Sequence, residues 1–418
     1  MPSLAHSQTA TLPLSLFAVA APGLEPFTAR ELNQLRLTPH PQPLPPLPTR
    51  SVGRGGRGGR QAGEGGEAGG VEFRGSLSDL YRANLHLRTA SRVLVRLGEF
   101  YAAAFSELRK KAGRLQWEQY LAPGQPVTFR VTCHKSRLYH SDAVAERVAG
   151  AIADRLGRLS PHTTKRGDDE ASEAMPQLIV VRLVRDKCTI SVDSSGALLH
   201  QRGYRLATAR APLRETLAAG TLIASGWDTA SPLLDPFCGS GTIAIEAALM
   251  ARGMAPGRAR RFAFMNWPTF DERVWKSVLI EADAPLSTAH PPRSTPYPLI
   301  LASDRDAGAI EAATANAARA GVADCIEFSR RAVSAIEPPS APGWVVTNPP
   351  YGVRVSGNKD LRNLYARFGH VLRAKCPGWH VAVLSASVEL TKSIGLRFDE
   401  GIPLVNGGLR VRLVRAII

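Results

Sequence analysis

The tetrapeptide Asn348-Pro349-Pro350-Tyr351 directly follows the apolar run Trp344-Val345-Val346-Thr347, which reads as a strand. Asn348 offers a side-chain oxygen, and the paired prolines hold the Pro349 carbonyl rigidly. Tyr351 adds an aromatic face. Two adjacent acceptors beside a stacking ring suit an exocyclic amine on a nucleic-acid base. Such an amine is a poor nucleophile because its lone pair is delocalised into the ring, and acceptors on its two N–H groups help the nitrogen become tetrahedral. No strong general base is required, so the lack of His or Glu in the tetrapeptide is no objection. A plain strand-closing turn would account for Pro-Pro, but it gives no reason for Asn and Tyr to flank it.

A second partner is implied upstream. Leu233-Leu234-Asp235-Pro236-Phe237-Cys238-Gly239-Ser240-Gly241-Thr242 leaves an apolar strand and opens a helix. Gly239 and Gly241 let a ligand approach the backbone where helical N–H groups are unpaired. Asp235, Pro236, Cys238, Gly239, Ser240, Gly241 and Thr242 are therefore candidate contacts for a nucleotide-type cofactor, with Asn348 at the shared edge. A lone G-x-G is a common tight turn, but the acid followed by Pro-Phe-Cys-Gly-Ser-Gly-Thr is more specific. The absence of G-K-[ST] argues against a P-loop. The next strand ends in Ser303-Asp304-Arg305-Asp306, and an acid at the tip of the second strand of a Rossmann-like unit is placed to accept from both ribose hydroxyls. Asp304 is that candidate, while Asp306 suits a helix cap. The plainer alternative for both is a pair of solvated loop acids. The spacing from the first loop far exceeds the roughly 20 residues of a dinucleotide fingerprint, because residues 252–298 intervene; with Trp267, Phe270 and Trp275 they read as an added helix and loop.

The elements around these motifs alternate strand and helix from about Ala211 onward, which predicts a mostly parallel, doubly wound α/β sheet. The N-terminal part reads differently. TLPLSLFAVAAPG and Val71 to Gly75 read as strands, and SLSDLYRANLHLRTASRVLVRLGEF has helical spacing with Ser76 or Ser78 as its cap. A second helical stretch follows. Val127 to Thr132 alternates as a strand and leads through a basic turn into a long amphipathic helix. LIVVRLVRD and KCTISVDSS then pair about a turn at Asp186-Lys187. This order describes a small α+β module. Between Thr38 and Gly70 a proline cluster and a glycine and arginine tract carry too little apolar surface to order; they form a disordered loop insert or an auxiliary RNA contact. There is no internal repeat.

Composition narrows the partner. Fifty-two Lys and Arg against 36 Asp and Glu give a formal charge of +16 and a pI near 10.1, which favours a polyanion. Lys110, Lys111, Arg114, His134, Lys135 and Arg137 are candidate phosphate contacts, although each alone is an ordinary solvated charge. Cys133, Cys188, Cys238, Cys325 and Cys376 form no C-x-x-C pair, so neither a disulfide framework nor a metal site is expected. No apolar run reaches the length of a membrane helix, and the N-terminus lacks the basic lead-in of a signal peptide. A reducing compartment, by default the cytoplasm, fits.

DPFCGSGT, SDRD and NPPYG in this order resemble the THUMP-containing RNA methyltransferases, most of all the RlmL type, which makes N2-methylguanosine in large-subunit ribosomal RNA. YRANLHLRTASRVLVRLGEF, the stretch from Phe129 to Ser194, HQRGYRLATARAPLRETLAAG and NGGLRVRLVRA extend the similarity to nearly the whole chain outside the insert. The resemblance implies S-adenosylmethionine as cofactor and a Rossmann-like class I methyltransferase domain over 201–418. Ahead of it would lie a ferredoxin-like domain over 1–100, holding the insert at 38–70, and a THUMP RNA-binding domain over 101–200. It also implies that the junction reaches the cofactor through His200, Gly203, Tyr204, Pro212 and Leu213. Many relatives carry an Asp four residues beyond the third strand's phenylalanine, against the cofactor adenine; here Phe328 is followed at that distance by Ala332. The expected partner is 23S-type ribosomal RNA. Transfer RNA, adenine N6 as the methylated position, or a non-catalytic RNA-binding role are the alternatives.

Overall fold

The computed structural model describes residues 13–37, 69–158, 161–164, 176–206, 213–283, 298–339, 341–351 and 358–418. The insert expected over 38–70 lies outside the described residues except for its last two, and Pro212 lies outside them too.

The first half of the chain runs β1 (Leu14–Ala20), α1 (Glu25–Gln34), β2 (Gly70–Gly75), α2 (Leu77–His86), β3 (Ala90–Tyr101) and α3 (Phe105–Ala112). It continues with β4 (Val127–His134), α4 (Ser141–Leu156), β5 (His162–Thr164), β6 (Gln177–Val184) and β7 (Lys187–Asp193). Among the described residues these strands form one seven-stranded sheet in the order β2-β1-β3-β7-β6-β4-β5. The strands on either side of position 100 are therefore hydrogen-bonded into a single layer through β3 and β7.

Two local expectations need correction. The helical spacing from Ser76 to Phe100 covers two elements. Ser76 caps α2 reciprocally with Asp79, but the helix ends at His86 and β3 follows. β3 lies between β1 and β7, and consecutive Val93, Leu94 and Val95 are all buried. Leu94 is buried on the face opposite Val93 and Val95, so this apolar run breaks the strand alternation and mimics a helix. The β6–β7 turn is also centred one residue earlier than expected: Arg185 and Asp186 both take positive φ, 50° and 64°, the geometry of a tight two-residue hairpin, and Lys187 already belongs to β7.

The second half begins with α5 (Glu215–Ser225), β8 (Leu233–Asp235), α6 (Thr242–Ala251), α7 (Glu272–Asp283), β9 (Ile300–Asp304) and α8 (Ala307–Arg319). It ends with β10 (Ile326–Arg330), β11 (Trp344–Thr347), α9 (Asn358–Lys375), β12 (His380–Ser385), α10 (Val388–Ser393), β13 (Ile402–Asn406) and β14 (Leu409–Ile417). Its sheet has the order β10-β9-β8-β11-β12-β14-β13. β10 through β12 are parallel, and the closing β13–β14 hairpin is antiparallel. Ala302, Val346, Ala382 and Leu384 pack under α5, α6 and α8, whereas Leu234, Val345, Val381 and Val383 pack under α9 and α10. Both faces are covered, as a parallel sheet requires. The strand order reverses between β8 and β11, which opens a crevice at their carboxyl ends.

The insertion after α6 holds the two halves together. Its described part contains a short 3-10 turn, Ala263–Asn266, and α7, and its aromatic rings enter the core of the N-terminal sheet. Phe264 stacks on Tyr81 with ring centroids 4.3 Å apart, and Trp267 meets Tyr120 edge-on at 4.9 Å. The Trp267 indole donates to Gln177 Oε1 at 2.8 Å, and Tyr81 Oη accepts from Asp271 N at 3.1 Å. The Arg260 guanidinium donates to the carbonyls of Ala197 and Leu198 at 2.5 and 2.8 Å, gripping the segment that joins the halves. Trp267→Ala should therefore lower unfolding stability by about 3–5 kcal/mol, since a buried ring and its hydrogen bond are both lost. Urea denaturation followed by circular dichroism measures this; a loss below about 1 kcal/mol would show that the insertion is peripheral.

Candidate active site

β8 and β11 pair only at Leu233↔Trp344 and Leu234↔Val345. Beyond that point a side-chain bond replaces the ladder: the Thr347 hydroxyl donates to Asp235 Oδ1 at 2.6 Å, with both residues buried. Phe237 N also donates to that oxygen at 3.3 Å. Burial raises the Asp235 carboxyl to about 7, the Thr347 and Phe237 hydrogen bonds opposing that rise. Asp235 thus holds the first turn of the loop to the base-side strand.

The loop from Pro236 to Gly241 continues from this anchor. Cys238 N donates to Ser303 O at 3.0 Å and Asn316 Nδ2 to Ser240 O at 3.2 Å, pinning the loop to β9 and α8. Gly239 has φ +52° and open space where a Cβ would stand, so the backbone is bare toward the crevice. Gly241 has φ +81°, and an added Cβ would lie 3.0 Å from that of Ala313, which lets α6 and α8 pack closely. Among the described residues no side chain caps α6, leaving first-turn amides open to solvent or ligand. Asp304, at the tip of β9, accepts from Gly239 N at 3.1 Å and from Asp306 N at 3.0 Å. Its carboxylate therefore stands beside the glycine loop. Asp306 caps α8 through Gly308 N. This bare glycine backbone, uncapped helix and adjoining acid fit a nucleoside-type cofactor. On the adjoining edge Ala332 is exposed and offers only backbone polar groups.

Asn348 stands at the end of β11 across the crevice mouth. Its Oδ1 is enclosed and has no hydrogen-bond partner among the described residues. A buried acceptor left unpaired costs roughly 1–3 kcal/mol, which a ligand donor would recover. Pro349 is buried and Pro350 exposed. Tyr365 on α9 donates to Pro350 O at 3.3 Å. Tyr351 is half-buried, its hydroxyl accepting from Asn406 Nδ2 at 3.0 Å.

The junction packs against the helix that the loop opens. Tyr204 is buried and donates to Glu246 Oε1 at 3.1 Å; its carbonyl accepts from Arg319 Nε at 2.8 Å. Leu213 is buried, Gly203 is exposed with φ +96°, and His200 is half-buried, its imidazole pushed down to about 3 by burial and then by the Arg214 charge. Arg205, which the motif reading does not single out, donates to Thr242 Oγ1 at 2.9 Å and Leu213 O at 2.7 Å and pairs with Glu215 at 3.2 Å. Burial raises Glu215 to about 7, with Arg205 opposing. An acid inside the apolar helix TIAIEAALMA, Glu246, is the sequence signal for this network; Arg202 lies 3.5 Å from its carboxylate.

The basic candidates lie on and just after α3, and at the end of β4 and in the turn that follows it. Lys110, Arg114, His134, Lys135 and Arg137 are exposed. Lys111 donates to Tyr101 O at 2.6 Å. Ala102 N donates to Asp186 O at 2.8 Å and Arg137 N to Asp186 Oδ1 at 2.7 Å, which brings the start of α3 to the turn after β4. Among the described residues no group of three or more His, Cys, Asp or Glu could hold a metal ion, and no helix is long and apolar enough to cross a membrane.

A doubly wound parallel sheet closed by an antiparallel hairpin, with a glycine loop after its first strand and an acid after its second, defines a Rossmann-like class I methyltransferase. The chain belongs to the RMKL-like methyltransferase family: that family's methyltransferase domain matches residues 202–415, with the RlmL ferredoxin-like domain matching 65–94 and the THUMP domain 102–193. It is 34% identical over 417 residues to "Putative RNA methyltransferase slr0064" of Synechocystis sp., covering 99% of each chain. It is 36% identical over 410 residues to the ribosomal RNA large subunit methyltransferase K/L of Methylococcus capsulatus, with 95% of this chain covered. The chain spans about half the length of that relative, 50%. Among solved structures, SMU.472 complexed with SAH aligns with a TM-score of 0.79 at 28% identity, covering 97% of this chain and 98% of the other.

Asp235 gives a direct electrostatic test. Its folded value near 7 lies above the roughly 4 of a free aspartate, so the stability its protonated form contributes is fully present below about pH 4 and lost as pH rises through about 7. The melting temperature of Asp235→Asn relative to wild type should therefore rise between about pH 5 and about pH 8. A difference independent of pH would refute the buried, proton-retaining carboxyl.

Proposed function

We propose that this enzyme transfers the methyl group of S-adenosylmethionine to the N2 amine of a guanine in large-subunit ribosomal RNA. The observation that carries the reading is the enclosed Oδ1 of Asn348 at the mouth of the crevice, without a hydrogen-bond partner among the described residues. That atom and the Pro349 carbonyl accept the two N–H bonds of the target amine, and Tyr351 stacks on the ring. When bound, S-adenosylmethionine supplies an electrophilic methyl group. Gly239 to Thr242 would hold its amino-acid end, Asp304 its ribose, and Leu213 would contribute to the wall. Guanine and ribosomal RNA are supported by the names of the K/L relatives and by the THUMP match.

The RNA would lie against the N-terminal half, with Lys110, Lys111, Arg114, His134, Lys135 and Arg137 tracking phosphates. A target inside a helix must be flipped out to reach Tyr351. The proposed organisation is a ferredoxin-like part over 1–100, a THUMP part over 101–200 and the catalytic domain over 201–418.

The two halves of the site should separate by mutation. Asn348→Ala is expected to lower kcat about 100-fold or more while the cofactor Kd stays within about twofold, because the lost acceptor acts on the reacting amine. Asp304→Ala is expected to weaken the cofactor Kd about tenfold or more. Titration calorimetry and labelled methyl transfer measure both. Equal loss of cofactor affinity in the Asn348 variant, or an unchanged Kd in the Asp304 variant, would overturn these assignments.

A further inference from the structure

The β13–β14 hairpin turns at Gly407 and Gly408, whose φ values of 55° and 84° and empty Cβ positions leave a bare two-residue tip. Asn406 is the last residue of β13, paired with Leu409 across that turn, and its amide reaches back across 55 positions of sequence to the Tyr351 hydroxyl. Tyr351 is held at both ends: the Pro349-Pro350 backbone, itself tied to Tyr365 on α9, fixes its root, and Asn406 fixes its tip. The ring also packs against apolar residues from both faces of the sheet. A partly buried phenol could find a partner through solvent, so a dedicated amide sets orientation more than solubility.

We infer that Asn406 is a positioning residue for the target base: it locks the Tyr351 ring in the plane on which that base stacks. This rests on the proposed role of Tyr351. An aromatic platform preset in one orientation spares the flipped base the cost of ordering it, and a small tilt of the ring would misplace the amine relative to Asn348. In this proposal the Asn406 amide acts through the Tyr351 hydroxyl, to which it donates.

The test is a double-mutant cycle in the full chain, with undermodified large-subunit RNA and saturating S-adenosylmethionine. Asn406→Ala should lower kcat/KM for RNA about tenfold, equivalent to one hydrogen bond's worth of positioning, and leave KM for S-adenosylmethionine unchanged. Tyr351→Phe, which keeps the ring and removes the hydroxyl, should cause a similar loss, and the double variant should be no worse than either. Asn406→Asp, whose carboxylate can accept the phenol proton, should recover most of the activity. Losses that multiply in the double variant, no loss in Asn406→Ala, or an equal rise in KM for S-adenosylmethionine would overturn the inference. Tyr351→Ala separates the levels: if it abolishes turnover while Asn406→Ala is silent, only the positioning role fails, and if it is also silent, the stacking role fails with it.

Discussion

The bond between the Thr347 hydroxyl and the Asp235 carboxylate is the constraint on which the site depends. β8 and β11 are ladder partners for two residue pairs and then diverge. One strand leads into the glycine loop and the other into Asn348, so without a tie at this point the two halves of the site would be set by independent loops. Burial costs the carboxyl its ordinary acidity, the short bond from Thr347 offsets part of that cost, and the same bond fixes the separation of the strand ends. Every later feature, from the Cys238 and Ser240 anchors to the Asn348 oxygen, is built outward from that fork.

A second constraint operates between the two sheets. Residues inserted after α6 place Phe264, Trp267 and Trp275 in the N-terminal core, so one half of the chain completes the other's hydrophobic interior. Arg260 and Arg202 add hydrogen bonds to carbonyls of the connecting segment and of Arg88. Interfaces between domains are usually small and polar enough to allow relative motion; this one is aromatic and buried. The N-terminal sheet and the crevice are thereby kept at a set spacing, which suits the proposed grip on RNA at one place and chemistry at another.

The candidate site was legible in the sequence because the proposed chemistry demands particular residues at strand ends. Asp304, Gly239, Gly241 and Asn348 stand at carboxyl ends of strands or in the turns that follow, where the alternation of strand and helix puts them. The doubly wound sheet was readable for the same reason. β3 was not, because the consecutive buried residues Val93, Leu94 and Val95 break the period that separates strand from helix. Residues whose partners are distant in sequence were also hidden: Thr347 meets Asp235 across 112 positions and Arg205 meets Thr242 across 37. Trp267, Phe270 and Trp275 announced packing, but nothing in their spacing said that the surface they cover belongs to the N-terminal sheet. Ala332 stands where the resemblance implies an Asp, a departure plain in the sequence and unchanged by the fold.

The most direct measurement is the identity of the product. The purified protein, undermodified large-subunit RNA and S-adenosylmethionine with a deuterated methyl group should give, after nuclease digestion and mass spectrometry, labelled N2-methylguanosine. Label appearing instead in N6-methyladenosine, or in no nucleoside at all, would contradict the account.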